Sequence, residues 1–433
     1  MLDINLIRES PEVVRANLER RKNPEYLNML DELISTDVKW RECRTKTNKL
    51  RQVRNTVSKE IRTLSGDEKK AKIQEMHQVN KDITELETQT KAMEEKRQYY
   101  LDRIPNLMHD SVPYGVDDTE NVTIRTWGSP PEFDFKPKDH IDLMLDLDLL
   151  ELERAAKTSG SRFYYLKNQA VFLDLALIRF AMDQLIKEGF TPFTTPVLVR
   201  KKLLYGTGFL PTGIDDIYKI EGEDLALIGT SEISLGGLHM DEVLEYSQLP
   251  LWYCGFSPCF RTEAGAHGRD TKGIFRVHKF HKVEMFKFCE PEKSWEEHEH
   301  MIKMAERVFR LLELPYRIVN ICTGDLGVVA AKKYDLETWL PGQGENGKFR
   351  EVVSCSNCTD YQARRLNARY RPKGSKTSKP EYVHTLNSTT LATNRAMIAI
   401  LENNQQEDGS ILIPKVLHPY TGFEVIALSA NKK

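Results

Sequence analysis

The chain has 433 residues, with 62 Lys and Arg against 64 Asp and Glu, 40% hydrophobic residues and 29% charged ones. That is the balance of a soluble globular protein with room for two or three domains. No apolar run of about 18 residues occurs, and Met1-Leu2-Asp3-Ile4-Asn5-Leu6 lacks a basic segment followed by an apolar core, so neither a membrane span nor a secretory leader is expected and the cytoplasm is the expected compartment.

In chain order, residues from Asn5 to Arg21 read as an amphipathic helix, with Ser10-Pro11-Glu12 as a possible helix start inside it. From about 36 to 104 there is no proline and Gly66 is the only glycine. Apolar residues at Trp40, Cys43, Leu50, Val53, Val57, Ile61 and Leu64, then at Met76, Val79, Ile83, Leu86, Met93, Tyr100 and Ile104, follow a 3-4 alternation, with Thr90 and Arg97 at the missing positions. This pattern predicts an antiparallel coiled-coil hairpin of two helices of about 30 residues, turning at Leu64-Ser65-Gly66-Asp67 and ended by Pro105. Its first helix is strongly basic. Arg41, Arg44, Lys46, Lys49, Arg51, Arg54, Lys59 and Arg62 face only Glu42 and Glu60. A cationic stripe on a helical arm suits a polyphosphate partner.

Residues 105 to about 135, rich in Pro, Gly and Asp, read as a linker. Beyond them we expect a helix from about Ala170 to Glu188 stopped by Gly189, strands within Tyr253–Arg261 and Ile274–Phe288, and helices at about Trp295–Glu313 and Leu391–Glu402. Strands without regular βαβ alternation point to an α+β domain, an antiparallel sheet flanked by helices. There is neither a P-loop nor a dinucleotide-binding glycine motif. The seven cysteines, Cys43, Cys254, Cys259, Cys289, Cys322, Cys355 and Cys358, do not form a disulfide framework, and Cys355-Ser-Asn-Cys358 has no second pair, so no zinc is expected.

The chemistry concentrates where Phe260-Arg261-Thr262-Glu263-Ala264-Gly265 leads into a glycine-containing tip, expected to be mobile, and returns as Ile274 to Glu284. Alternation on the returning strand puts Arg276, His278, Phe280, Lys282 and Glu284 on one face. Two fixed cations, a ring and a carboxylate make a poor core and a good bed for a ligand with phosphate, a flat base and an amine or hydroxyl. Phe280 and Glu284 stand about 13 Å apart on a strand, about the span of an aminoacyl adenylate.

The hairpin resembles motif 2 of class II aminoacyl-tRNA synthetases. Thr230-Ser231-Glu232, Ser354-Cys355-Ser356-Asn357-Cys358-Thr359-Asp360-Tyr361-Gln362 and Leu386-Asn387-Ser388-Thr389-Thr390-Leu391-Ala392-Thr393-Asn394-Arg395 complete a resemblance to the seryl-tRNA synthetases. It covers nearly the whole chain, arm included. Ser388-Thr389-Thr390 and Asn394-Arg395 depart from the Gly-Ser-Gly and Gly-Arg frequent in bacteria and resemble the archaeal or eukaryotic variety.

The resemblance implies an N-terminal tRNA-binding domain over 1–110 and a class II catalytic domain over 111–433, with motif 1 at about 183–200, motif 2 at about 253–286 and motif 3 at about 386–403. It implies that Arg261 and Arg395 are catalytic, gripping the α- and γ-phosphates of ATP. Thr230, Ser231, Glu232, Arg261, Glu284, Asn387 and Thr389 would bind serine, with Glu232 on the ammonium and Glu284 on the hydroxyl. Arg261, Thr262, Glu263, Arg276, Val277, Phe280, Glu351, Val352, Val353, Ser354 and Arg395 would bind ATP, with Phe280 stacked on adenine. Glu351 and Ser354 would hold Mg²⁺, and Arg41, Arg44, Lys46, Lys49, Arg51 and Arg54 would meet tRNA. The implied activity is serine–tRNA ligation through seryl-adenylate by a homodimer, on tRNA(Ser), with tRNA(Sec) a second candidate. A catalytically silent tRNA-binding paralogue is the alternative. Loss of Arg261, Glu284, Glu351 or Arg395 would mark it, and all four are present.

Overall fold

The computed structural model describes residues 1–265, 270, 272–374 and 379–427. The chain divides into two units, one of residues 1–107 and one from Met108 onward. In the first unit, α1 (Ile4–Glu9) and α2 (Pro11–Glu19) replace the single helix expected from Asn5 to Arg21. The break falls at Ser10, because Pro11 has no N–H to continue α1 but suits the first turn of α2.

The hairpin is longer than the heptads predict: α3 runs Pro24–Glu60 and α4 runs Gly66–Leu101. Asn23 caps α3 by accepting from the Glu25 N–H, and Pro24 holds its first position. No breaker follows, so each helix extends about 55 Å. Leu30, Leu33, Cys43, Val57, Met76, Ile83 and Leu101 are buried along the pair, whereas Val53, placed in the seam by its spacing, is 42% exposed. Asp37 is the polar lock. Its carboxylate lies 2.8 Å from both Arg8 Nη2 and Arg97 Nε and 3.1 Å from Arg41 Nε. Burial would raise its pKa, but these three guanidinium groups outweigh it and hold the carboxyl below its usual range.

The second unit is built on an eight-stranded sheet. In chain order the strands are β1 (Val122–Trp127), β2 (Thr191–Thr194), β3 (Leu251–Phe260), β4 (Lys279–Cys289), β5 (Tyr316–Asn320), β6 (Lys332–Leu340), β7 (Lys348–Asn357) and β8 (His384–Ala392). Their spatial order is β1-β5-β6-β7-β8-β4-β3-β2. Every pairing is antiparallel except β2 with β3, so the sheet is mixed rather than wholly antiparallel. β1 lies inside the stretch expected to be a linker. Being an edge strand with Val122 and Ile124 largely exposed, it lacks the apolar signature of a core strand.

Helices α5 (Gln169–Lys187), α6 (Lys201–Thr207), α7 (Ser231–Gly236), α8 (Ser294–Leu311), α9 (Tyr361–Leu366) and α10 (Thr393–Asn403) complete the frame used below. Gly189, left-handed at φ +102°, follows α5. The main core holds Leu173, Leu177 and Phe180 of α5, Met301, Val308 and Phe309 of α8, and Met397, Ile398 and Leu401 of α10. Each such fully buried side chain contributes about 1.5–3 kcal/mol. The helix expected from Leu391 begins at Thr393, because Leu391 and Ala392 still pair with Val283 and Lys282. One residue earlier, the register between β8 and β4 slips, Thr389 facing Glu284 and Leu391 facing Val283, so Thr390 is an inserted bulge residue.

Candidate active site

The hairpin expected to be motif 2 has β3 and β4 as its arms, paired from Leu251–Phe288 to Phe260–Lys279. The strand begins at Lys279, so Ile274 to His278 precede it, contrary to the expected strand start. Of the tip, residues 266–269 and 271 lie outside the described residues. Phe280, Lys282 and Glu284 alternate onto one face and line a cavity of about 310 Å³, together with Arg276. His278 does not join that lining. Its Nδ1 pairs with the Arg261 carbonyl oxygen at 2.9 Å, and its ring lies against Phe163.

The cavity gathers residues from across the second unit. Thr230 and Glu232 come from the start of α7, Arg261 and Glu263 from the end of β3, Glu351, Val352 and Ser354 from β7, Asn387 and Thr389 from β8, and Arg395 from α10; Val277 lines it as well. Three residues implied by the resemblance have side chains elsewhere. The Ser231 hydroxyl is fully buried against that of Ser257 at 2.7 Å. Thr262 donates to the Asp215 carbonyl. Val353 alternates away from Val352 and Ser354 into the core.

One connected group surrounds two carboxylates. Thr230 caps α7, its hydroxyl oxygen accepting from the Glu232 N–H at 3.2 Å and from Lys282 Nζ at 2.8 Å. Lys282 Nζ also lies 2.6 Å from Glu284 Oε2, which accepts from the Thr389 hydroxyl at 3.4 Å. Glu232 Oε1 accepts from Gln362 Nε2 at 2.7 Å and from Asn387 Nδ2 at 3.0 Å. Burial above all, and then the Glu284 charge, push the Glu232 carboxyl up to about 7.

A second group is cationic. Arg261 lies over the Phe280 ring, its Cζ 5.4 Å from the centroid, and donates through Nε to the Gly229 carbonyl at 3.3 Å. Arg276 reaches Glu263 at 3.5 Å and Asp270 at 3.2 Å. Glu263 has φ +52°, a left-handed conformation uncommon for a residue with a side chain. Arg395 donates to the Glu351 carbonyl at 2.9 Å, approaches its carboxylate at 3.5 Å and covers Phe275. The Glu351 side chain keeps 45% exposure, on the cavity side. Enclosure works to raise its pKa, but Arg395 and Lys333 outweigh this and hold it below the ordinary value. Beside it, burial pushes Asp335 up to about 7, and Asp335 Oδ1 is buried without a partner among the described residues.

Sequence reasoning missed Lys333, Phe275, Cys358 and the 326–330 segment of the lining. Alternation along β4 placed Lys282 on the right face but gave it no role. For Lys333 and residues 326–330 no local signal existed, because the topology of the sheet brings them in. On the arm, Lys46 and Lys49 are exposed, but Arg41 serves Asp37, Arg44 lies over Trp40, Arg51 pairs with Glu87 and Arg54 is half-buried.

A family model described as the seryl-tRNA synthetase N-terminal domain matches residues 1–108, and one described as the tRNA synthetase class II core domain (G, H, P, S and T) matches residues 217–404. The chain is 51% identical to the serine–tRNA ligase of Thermococcus sibiricus, covering 100% of this chain and 99% of that one. It is also 51% identical to that of Methanocella arvoryzae, over 98% of this chain and 100% of that one. The crystal structure of seryl-tRNA synthetase from Pyrococcus horikoshii complexed with ATP superposes with a TM-score of 0.92 at 51% identity, covering 99% of this chain and 100% of that one. The cytoplasmic serine–tRNA ligase of Naegleria fowleri in complex with AMP gives 0.88 at 39% identity, covering 99% of both chains.

Proposed function

The chain belongs to the seryl-tRNA synthetase family, and from that premise we propose how its cavity joins serine to tRNA at the expense of ATP. The protein is a serine–tRNA ligase. The observation that carries the residue assignment is one cavity holding two unlike groups: Thr230, Glu232, Glu284, Asn387 and Thr389 around two carboxylates, and Arg261, Arg276 and Arg395 beside Phe280.

The serine ammonium meets Glu232, and the serine hydroxyl meets Glu284 and Thr389. Alanine would leave that carboxylate without its hydroxyl partner, which is the strong form of discrimination. The serine carboxylate lies beside the α-phosphate under Arg261. One of its oxygens attacks the α-phosphorus, the bond from that phosphorus to the bridging β-oxygen breaks, and seryl-adenylate and pyrophosphate form. Arg261 neutralises charge as it builds, while Arg276 and Arg395 hold the leaving phosphates. Phe280 stacks on adenine. The terminal ribose hydroxyl of tRNA then attacks the seryl carbonyl and AMP departs. Catalysis is mainly positioning and charge neutralisation.

Glu351 and Ser354 fit Mg²⁺, since both offer hard oxygen donors at the cavity wall and the orphaned Asp335 oxygen lies beside them. The ion would neutralise charge on the polyphosphate. The exposed cations of the arm, Lys46 and Lys49 first among them, are the tRNA-facing surface. Phe172 and Leu175, 58% and 57% exposed on α5, support homodimer formation through this face. Among the described residues no helix is long and apolar enough to cross a membrane.

Serine-dependent exchange of pyrophosphate into ATP without tRNA tests the reading. Exchange is expected with serine and with no other standard amino acid at comparable kcat/KM. Folded protein that gives no exchange would overturn it.

A further inference from the structure

Gln362 is fully buried on α9, and all of its amide's hydrogen-bonding groups are engaged. Nε2 donates to Glu232 Oε1 at 2.7 Å and to the Thr207 carbonyl at 2.9 Å, while Oε1 accepts from the Thr385 hydroxyl at 2.7 Å. The Glu232 carboxylate and the Thr207 carbonyl, which only accept, fix which end of the amide points where, and the Thr385 hydroxyl meets its oxygen. A reversed amide would set its carbonyl against the Glu232 carboxylate and the Thr207 carbonyl together, leaving buried acceptors facing one another. The backbone carrying this amide is also tightly set: a Cβ at Gly206 of α6 would fall 2.3 Å from Leu366 Cδ2, so α6 and α9 meet closely only because that position is glycine.

The donors act on one side of Glu232. Oε1 takes Gln362 and Asn387, whose amide nitrogen also reaches Cys358 Sγ at 3.4 Å. Oε2 receives no hydrogen bond among the described residues, and Glu232 lines the cavity. Every group on Oε1 is neutral. A lysine in place of Gln362 would answer the Glu232 charge from within the protein and remove the reason for an ammonium to bind; an amide orients the carboxylate without neutralising it.

We propose that Gln362, its amide oxygen held by Thr385, is a positioning residue for serine recognition, holding Glu232 by Oε1 so that Oε2 is presented to the substrate ammonium. This rests on the reading of Glu232 as the ammonium partner. The Gln362 donor also favours the ionised carboxylate, against the burial and the Glu284 charge that oppose it.

The test uses two unreactive adenylate mimics, seryl-sulfamoyl-adenosine and its counterpart lacking the amino group, titrated calorimetrically into the full-length protein. The seryl mimic should bind native enzyme more tightly than the deamino mimic. In Gln362→Met its affinity should fall about 10- to 100-fold, the scale of one hydrogen bond to a charged group, while the deamino mimic is unchanged. Thr385→Val should show the same loss in smaller measure, and Thr385→Ser should restore the native ratio. Should Gln362→Met not fold, the two Thr385 variants decide. A native ratio in Gln362→Met or Thr385→Val, or equal loss of both mimics, overturns the positioning role. No preference for the seryl mimic in native enzyme overturns the Glu232 assignment first, and the proposal with it.

Discussion

Lys282 Nζ stands 2.6 Å from Glu284 Oε2, and both side chains are nearly excluded from solvent, at 7% and 3% exposure. Glu232, the other carboxylate of the same pocket, receives only neutral donors. The pocket therefore divides two like groups by their partners. Glu284 arrives with its charge answered and serves as a hydrogen-bond acceptor. Glu232 takes its hydrogen bonds from neutral groups alone, which on the proposed reading leaves it to a cation brought by the ligand.

Removing that internal cation should separate serine binding from ATP binding. In Lys282→Met, a buried carboxylate loses its partner, a change that costs about 3–5 kcal/mol. The expected result in pyrophosphate exchange is a fall of about 100-fold or more in kcat/KM for serine, with KM for ATP within about twofold. Adding Glu284→Gln should recover thermal stability without recovering activity. A double variant no more stable than Lys282→Met would show that the pair is not what holds this part of the sheet.

A pH dependence follows from Glu232. Its folded pKa of about 7 lies above the ordinary 4.5, so the neutral form predominates as pH falls below 7, and the neutral form has no charge for an ammonium. Serine KM should be flat near pH 8, below the loss of serine's own ammonium proton, and rise toward tenfold per pH unit below about 6. Binding near neutrality should release a proton, seen as an observed enthalpy that varies with the ionisation enthalpy of the buffer. A serine KM that is constant from pH 5.5 to 8.5 would remove Glu232 from the ammonium site.

The arm predicts a contrast between two kinds of cation. Lys46→Ala with Lys49→Ala should raise KM for tRNA and lower the slope of log affinity against log salt by about one per lost phosphate contact, leaving exchange untouched. Arg41→Ala removes one of the three guanidinium groups on Asp37. It should lower the melting temperature of the arm more than either lysine change does. Equal effects of all three on stability would contradict this division.

Much of this site was legible from sequence because alternation along one strand suffices to put Phe280, Lys282 and Glu284 side by side, and because short motifs carried Arg261, Glu232 and Arg395. What remained hidden is what depends on pairing between distant segments. Gln362 touches Glu232 across 130 residues and Thr385 across 23; no spacing rule encodes that. Ser231 and Val353 were grouped with neighbours that do line the cavity, although alternation and helix geometry turn their side chains away. The arm's helix start at Pro24 was obscured because its first turns continue the amphipathic pattern, and its arginines read as one stripe although Arg41 and Arg44 work inside the arm. β1 escaped notice because an edge strand has little to bury.

The bulge at Thr390 keeps the phase of everything after it. Asn387 and Thr389 face the cavity, and in a regular ladder of the same residues, without the bulge, Leu391 would take the place opposite Lys282 now held by Ala392, which lines the cavity. With it, Leu391 enters the core and α10 begins with Arg395 returned to the cavity wall. In a library of variants, insertions should therefore be guarded against here more strictly than removal of the bulge residue. Pairing the same residues without the bulge would turn the segment by a half-period and exchange its wet and dry sides, whereas removal of Thr390 would keep Leu391 opposite Val283 and leave that phase intact.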